Sequence, residues 1–293
     1  MREMRVVNGK LTDSVPVTST QTITYHNTTK KSSGKNKKRF IVVHYTAGNL
    51  YNDDVRQLST GSAQVSCHIV IGRNGQVAQV GSFDDIQWHA GASTWKGING
   101  LNSYSIGIEL NNPGYLKPTG DGRTYLAHFG KKYDLYNDKL VLAKQPDVGS
   151  ATYGWLPYTE DQLEALKAVV EALRKAFPTI EEVVGHEQIS PGRKQDPGLG
   201  IILEWKTMDE LNGRIDRTDN DPSAPGIDDL PWANRIVRDA PSGLRIRSGM
   251  STSSSIIGSL KNGEVIQTLW KSAEWLQLKQ GGYIATKFTE VIS

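Results

Sequence analysis

One cysteine, Cys67, occurs in 293 residues. An intrachain disulfide is therefore excluded, as is a zinc site built on several thiolates, so any metal here requires His, Asp or Glu ligands. Cys67 lies in an apolar run and reads as a small buried hydrophobe. Long apolar runs are also missing. No segment approaches the roughly 20 residues of a membrane span, and MREMRVVNGKLTDSVP at the start has no sustained apolar core of the signal-peptide kind. The expectation is synthesis in a cytosol, with no membrane insertion.

Net charge is small, +3, but uneven. Residues 1–40 carry nine Lys and Arg against two acids, 41–234 carry 17 against 25, and 235–293 carry eight against four. The run KKSSGKNKKR, Lys30 to Arg39, lacks interleaved aromatics, so it is poor evidence for nucleic acid and reads as a solvated charge run.

The length allows two domains, since domains usually run about 100 to 200 residues. FIVVHYTAG predicts a strand buried on both faces that ends at His44, where a turn through Thr46, Ala47 and Gly48 begins. NDDVRQLSTG predicts a short helix capped by Asn52 or Asp53, with Gly61 beyond its end. HIVIGRNGQVAQV predicts a hairpin with a tight primed turn at Asn74-Gly75. In SIGIEL, Ser105 to Leu110, strand alternation puts Ile106, Ile108 and Leu110 on one face and Glu109 on the other. Residues 111–157 are polar with little periodicity and read mostly as loop.

A helix follows, with Thr159 and Gln162 as a capping box and apolar residues at helical spacing until Pro178. IEEVVGHE is a strand leading into GHEQISPGRKQDPG, a loop punctuated by three glycines and two prolines. Interleaved strands and helices indicate an α/β fold, a mixed central sheet flanked by helices. Residues 217–231 read as a linker. After it come only short strands separated by turns at roughly ten-residue spacing, the pattern of a small all-β barrel or sandwich. The expected domains are a basic extension at 1–37, a catalytic domain at 38–216, the linker, and a β domain at 232–293.

Of six histidines, His44 and His186 lie at ends of apolar strands, and ligands bind at strand ends in α/β sheets. Asp196 offers an anionic ligand on the same loop as His186. Each histidine alone is as readily structural. Glu109 on an apolar strand suits general acid or base work near a metal, although a solvent-exposed face accounts for it equally well. The loop at 185–198 is either a site or a connector.

In order, FIVVHYTAG, HIVIGRNGQV, WHAG (Trp88 to Gly91), SIGIEL and GHEQISPGRKQDPG resemble the zinc-dependent N-acetylmuramoyl-L-alanine amidases of the amidase-2 family, relatives of the peptidoglycan recognition proteins, over about residues 38–205. The resemblance implies zinc held by His44, His186 and Asp196, Glu109 as the base, and Lys194 beside the scissile carbonyl. It implies cleavage of the amide between N-acetylmuramic acid and L-alanine in bacterial peptidoglycan. His89 and Trp88 match a motif lining the substrate groove, and His68 is expected to face the cleft near the metal. His26 and His128 match nothing and read as surface or structural. In some relatives a Tyr stands at the position of Cys67, and its absence here shifts weight onto Glu109.

The C-terminal strands resemble bacterial SH3-like cell-wall-binding domains in GLRIRSGMSTSSSIIGSLKNGEVI and GGYIATKFTEVI. Leu244 and Ile246 are expected inside, with Arg245 and Arg247 outside. Trp270, Trp275 and Tyr283 are either core or a wall-binding face. Together the two resemblances imply a monomeric enzyme like a bacteriophage endolysin, made in the host cytoplasm and acting on the wall after the membrane is breached. A cytosolic muropeptide-recycling amidase and a non-catalytic peptidoglycan-binding protein are the rival readings.

Overall fold

The computed structural model describes residues 2–14, 22–145, 149–213, 233–247, 252, 255–270, 275–278 and 283–291. The chain divides into two compact units, Met1–Asp216 and Arg217–Ser293. The expected linker at 217–231 lies outside the described residues. No helix among the described residues is long and apolar enough to cross a membrane.

In the first unit the strands are β1 (Met4–Val7), β2 (Lys10–Asp13), β3 (Ile23–His26), β4 (Lys31–Ser32), β5 (Phe40–Tyr45), β6 (Ile69–Ile71), β7 (Val77–Val80), β8 (Ile86–Gln87), β9 (Thr94–Trp95), β10 (Ile98–Asn99) and β11 (Ser105–Leu110). They continue as β12 (Tyr115–Pro118), β13 (Thr124–Leu126), β14 (Lys132–Asp134), β15 (Val141–Gln145), β16 (Gly149–Trp155) and β17 (Glu182–Gly185). The helices are α1 (Tyr51–Ser59), α2 (Glu160–Ala176), α3 (His186–Ile189) and α4 (Trp205–Leu211).

The central sheet runs β17-β5-β11-β6-β7-β3. It is mixed: only β6 and β7 pair antiparallel, and every other neighbour is parallel. Alternation splits its residues between two faces, which pack into three clusters. Ile41, Val43, Ile106, Ile108 and Leu110 pack against Leu166, Val169, Val170 and Leu173 of α2. Phe40, Val42 and Val184 join Ala90, Leu101 and Ile189. Val70, Ala78 and Val80 pack with Val55 and Leu58 of α1. Cys67 is buried in that last cluster, its Sγ donating to the Ile69 carbonyl at 3.4 Å, a structural role. The strand β5 is thus covered on both faces, as its unbroken apolar run predicts.

Helix α2 starts on the predicted capping box, with the Gln162 amide donating to Thr159 Oγ1 at 3.2 Å. Helix α1 begins earlier than expected. Its N-cap is Leu50, whose apolar side chain makes no cap bond, and Asp54 within the helix accepts from Asn111 Nδ2 at 2.6 Å. The β6–β7 hairpin closes with a wider turn than the primed type. The Gly75 amide donates to the Gly72 carbonyl and Gly75 alone has positive φ, +77°, so a three-residue loop with a left-handed glycine replaces the two-residue turn.

Two further differences concern polar segments. Residues 111–157, expected as loop, form a second antiparallel sheet, β14-β13-β12-β16-β15, over a core of Leu116, Tyr125, Ala127, Tyr133 and Leu140. Its apolar residues are spread across short strands, which hides the period. The described part of residues 1–37 belongs to the first unit rather than standing outside it: β3 is an edge strand of the central sheet, and Leu11 is fully buried. Nor is the basic run simply solvated. Lys30 is buried with its Nζ donating to the Gln57 and Val65 carbonyls, and Lys31 and Lys38 pair with Asp85 and Asp84.

The second unit is all β: β18 (Ala233–Val237), β19 (Leu244–Arg247), β20 (Ile256–Leu260), β21 (Val265–Trp270), β22 (Trp275–Leu278), β23 (Tyr283–Ala285) and β24 (Thr289–Val291). These pair antiparallel in the order β20-β19-β23-β22-β21-β18-β24. The sheet encloses one core of Val237, Leu244, Leu260, Ile266, Leu276, Leu278 and Ile284, with Ile246 packed against it and Arg245 exposed. Tyr283 is half-buried, while the side chains of Trp270 and Trp275 lie outside the described residues.

Candidate active site

Three neighbouring parallel strands, β17, β5 and β11, deliver the site at their carboxyl ends, where α/β sheets bind ligands. His44 lies near the end of β5 and pairs in register with Glu109 on β11. His186 follows β17 at the start of α3, where the expected loop instead forms one helical turn. The Gly185 amide donates to Gln188 Oε1 at 2.8 Å and starts that turn. Asp196 returns from the loop after it. Glu187 holds this return, its amide donating to the Asp196 carbonyl and its Oε1 accepting from the Gly198 and Leu199 amides.

His44 Nδ1, His186 Nδ1 and Asp196 Oδ2 converge: the two nitrogens are 2.8 Å apart, and they lie 2.9 and 2.8 Å from the carboxylate oxygen. All three residues are buried. His186 Nε2 is 3.0 Å from the Ala90 carbonyl, so its proton belongs there and Nδ1 presents a lone pair. Burial, and then the neighbouring His186, pushes the pKa of His44 down to about 4, which keeps that imidazole neutral. Burial opposes ionisation of Asp196, but its contacts with His186 and His44 hold its carboxyl below the ordinary range. Two lone-pair nitrogens and a carboxylate oxygen facing one point are the donor set of a divalent cation and suit zinc. The residues fit the metal.

Glu109 faces the same cleft. Its Oε2 is buried without a hydrogen-bond partner, and burial followed by the charge of Asp196 raises its pKa well above the usual value. The cleft, about 410 Å³, is lined by His44, Glu109, His186, Lys194 and Asp196 together with Trp88 and His89.

His89 does more than line the cleft. Its Nδ1 is 3.1 Å from His44 Nε2, so it is the outer partner that orients the His44 ring. The WHAG segment is held by Asn102 Oδ1, which accepts from the His89 and Ala90 amides. Gly107 of SIGIEL leaves room for the His89 ring: a Cβ there would stand 2.5 Å from His89 Cγ. His68, expected to face the cleft, does not line it. It is fully buried, its Nδ1 accepting from the Gly107 amide at 3.0 Å and its Nε2 lying 3.0 Å from the Asp85 carbonyl. The hairpin strand enters the sheet beside β11, and that places the ring under Gly107 rather than in the opening.

Several residues of the site carry no signal in the sequence. Arg193 Nη2 donates to the Ala90 and Ala92 carbonyls at 2.9 and 2.7 Å and to Ser190 Oγ at 2.6 Å, tying the loop between His186 and Asp196 to WHAG. Tyr45 and Tyr115 line the cleft, as does His128, read from sequence as surface or structural. Burial raises the pKa of Tyr45, followed by the charge of Asp196, so its phenol remains a hydrogen-bond donor. Only the tertiary fold brings these groups together.

Fold and site together define an amidase-2 domain, joined in one chain to a bacterial SH3 domain. The family described as N-acetylmuramoyl-L-alanine amidase matches residues 34–199, more than half of the chain, and the bacterial SH3 domain family matches residues 242–290. The chain belongs to the N-acetylmuramoyl-L-alanine amidase family. Among its relatives is the 1,6-anhydro-N-acetylmuramyl-L-alanine amidase AmpD of Haemophilus influenzae, 30% identical over 145 residues that cover 49% of this chain and 56% of the relative. Another is the N-acetylmuramoyl-L-alanine amidase AmiD of Escherichia coli, 29% identical over 178 residues that cover 58% of this chain and 51% of the relative. The chain spans about half the length of the curated relatives it matches. A solved structure of E. coli AmiD aligns with 24% identity and a TM-score of 0.43, covering 71% of this chain and 65% of that one.

Proposed function

We propose that the protein is a zinc-dependent peptidoglycan amidase that cleaves the amide between the lactyl group of N-acetylmuramic acid and L-alanine. The observation that carries this reading is the convergence of His44 Nδ1, His186 Nδ1 and Asp196 Oδ2 beside the unpartnered Glu109 carboxylate. His44, His186 and Asp196 would hold the metal, which in such a donor set supplies Lewis acidity, acidifying water and polarising a carbonyl.

The chain's own groups do the rest. Glu109, whose carboxylate burial makes more basic, takes the proton of the attacking water and returns it to the departing alanine amine. Lys194 sets its ammonium against the negative charge that develops on the carbonyl oxygen. The C–N bond breaks, leaving a lactyl carboxylate on the glycan and a free amine on the peptide. His89 keeps the His44 ring in its ligating orientation, and Trp88 offers the substrate a flat apolar surface.

Family membership of the two domains supports a lytic role. An amide hydrolase joined to a wall-binding domain works at raised effective concentration on an insoluble polymer. In this reading the enzyme resembles a phage endolysin, accumulating in the host cytoplasm and reaching the wall once the membrane is breached. Digestion of purified cell walls tests the reaction: new alanine amino termini without new sugar reducing ends are expected, and reducing ends would make it a glycosidase. The similarity to AmpD favours a second reading, recycling of soluble fragments. Removing residues 232–293 separates the two. A lytic enzyme loses activity on intact walls far more than on a soluble muropeptide, whereas equal loss supports recycling.

A further inference from the structure

The turn that joins β13 to β14 is closed by its own backbone hydrogen bonds. The Ala127 amide donates to the Lys131 carbonyl and the Gly130 amide to the Ala127 carbonyl, both at 2.9 Å, and Gly130 takes a φ of +87°. This is a tight hairpin turn closed by a left-handed glycine. Phe129 packs into the core of the second sheet, and its ring meets the His128 ring edge-on at 5.0 Å. Lys131 reaches across to Asn49 Oδ1, on the segment that follows β5. The result fixes His128, itself exposed, in the lining of the catalytic cleft alongside Lys194 and Tyr115.

The walls of that cleft differ in chemistry. Trp88 belongs to a wall shared with Ser66, whose amide donates to the Trp88 carbonyl and whose Oγ accepts from the Trp88 amide. A flat indole suits the face of a sugar ring. His128 belongs to the wall made by the second sheet with Gly114 and Tyr115, and offers an imidazole N–H. A ring N–H at the edge of a cleft suits a polar or anionic group of the substrate, not an apolar one.

We infer that His128 is a specificity residue for the stem peptide: it binds the carboxylate of the residue that follows the alanine at the cleaved bond. The inference rests on the amidase reading above. When that second residue is a γ-linked glutamate, its α-carboxylate stays free and lies only a few bonds beyond the scissile nitrogen. A hydrogen bond to that anion adds binding energy for the stem peptide beyond what the groups at the scissile bond supply.

Two soluble muramyl tripeptides, identical except that the glutamate α-carboxylate is free in one and amidated in the other, test the inference with the full-length zinc-loaded protein. The native enzyme is expected to prefer the free carboxylate by about tenfold in kcat/KM, the scale of one hydrogen bond to a charged group. His128→Ala should abolish the preference through KM, with kcat and zinc content unchanged, and His128→Gln, which keeps a donor, should restore part of it. An alanine variant that keeps the native preference overturns the inference, as does a native enzyme that does not discriminate. Failure of the native enzyme to cleave either compound, or muramyl-L-alanine itself, would instead overturn the amidase reading.

Discussion

Glu109 and His44 stand side by side on adjacent parallel strands, paired in register, with both side chains on the sheet face opposite α2. One group is a neutral imidazole whose Nδ1 faces His186 and Asp196, and the other a carboxyl with a buried, unpartnered oxygen. Strand register alone places the Glu109 carboxyl beside the His44 imidazole.

Replacement of Glu109 should separate catalysis from stability. Glu109→Gln is expected to lower kcat by about 10²- to 10⁴-fold, the usual scale of general acid–base catalysis, with zinc retained. Because burial raises the folded-state pKa of Glu109 above its unfolded value, the native carboxyl favours folding at acid pH, and that contribution is lost as pH rises above the unfolded value of about 4.3. Chelated Glu109→Gln should therefore be more stable than chelated native protein at pH 7 and equal to it near pH 3.5. Urea unfolding at the two values checks this, and an active variant would refute the role of Glu109.

His89 offers a test of the outer partner. As the group that orients His44, it should cost zinc affinity about 10- to 100-fold when replaced by Ala, measured by competition with a chromogenic chelator. Unchanged affinity would return His89 to a substrate-lining role alone.

Gly107→Ala probes the same ring from beneath. The added methyl would stand 2.5 Å from His89 Cγ, in a core with little room to relax, and a loss of about 1 to 3 kcal/mol is expected by thermal melting. Zinc affinity should fall with it; a variant of native stability would mean the ring is not held there.

His68 links acid sensitivity to one buried bond. Its pKa is pushed down to about 4, by burial first, and protonation at Nδ1 removes the acceptor of the Gly107 amide. Its stabilisation is full above the unfolded value of about 6.5 and is lost as pH falls towards 4, amounting to about 3 kcal/mol. His68→Asn, which keeps an acceptor near Nδ1, should flatten that part of the stability profile between pH 7 and 4. A profile parallel to the native one would contradict the assignment.

The central sheet, the capped helix and the convergence of His44, His186 and Asp196 were legible because each has a local signature: unbroken apolar strands, a capping box, and polar residues where apolar strands end. What stayed hidden depends on long-range packing. The five-stranded sheet of residues 115–155 uses short strands whose core residues, Leu116, Tyr125, Tyr133 and Leu140, lie far apart without a sustained period. Helix α1 starts at Tyr51, ahead of both expected caps, and its Asp54 binds Asn111, a partner 57 residues away. His68 and His128 exchanged their expected places for the same reason: strand register buries the first, and a hairpin turn carries the second into the cleft.

The most direct test of the reaction is hydrolysis of a soluble muramyl peptide in ¹⁸O-labelled water, read by mass spectrometry of both products. Cleavage by the groups around His44 and Glu109 should release a peptide with a free alanine amine and leave one ¹⁸O in the lactyl carboxylate of the muramic acid. Label in a sugar reducing end, or in a peptide carboxylate with the muramyl–alanine bond intact, would contradict it.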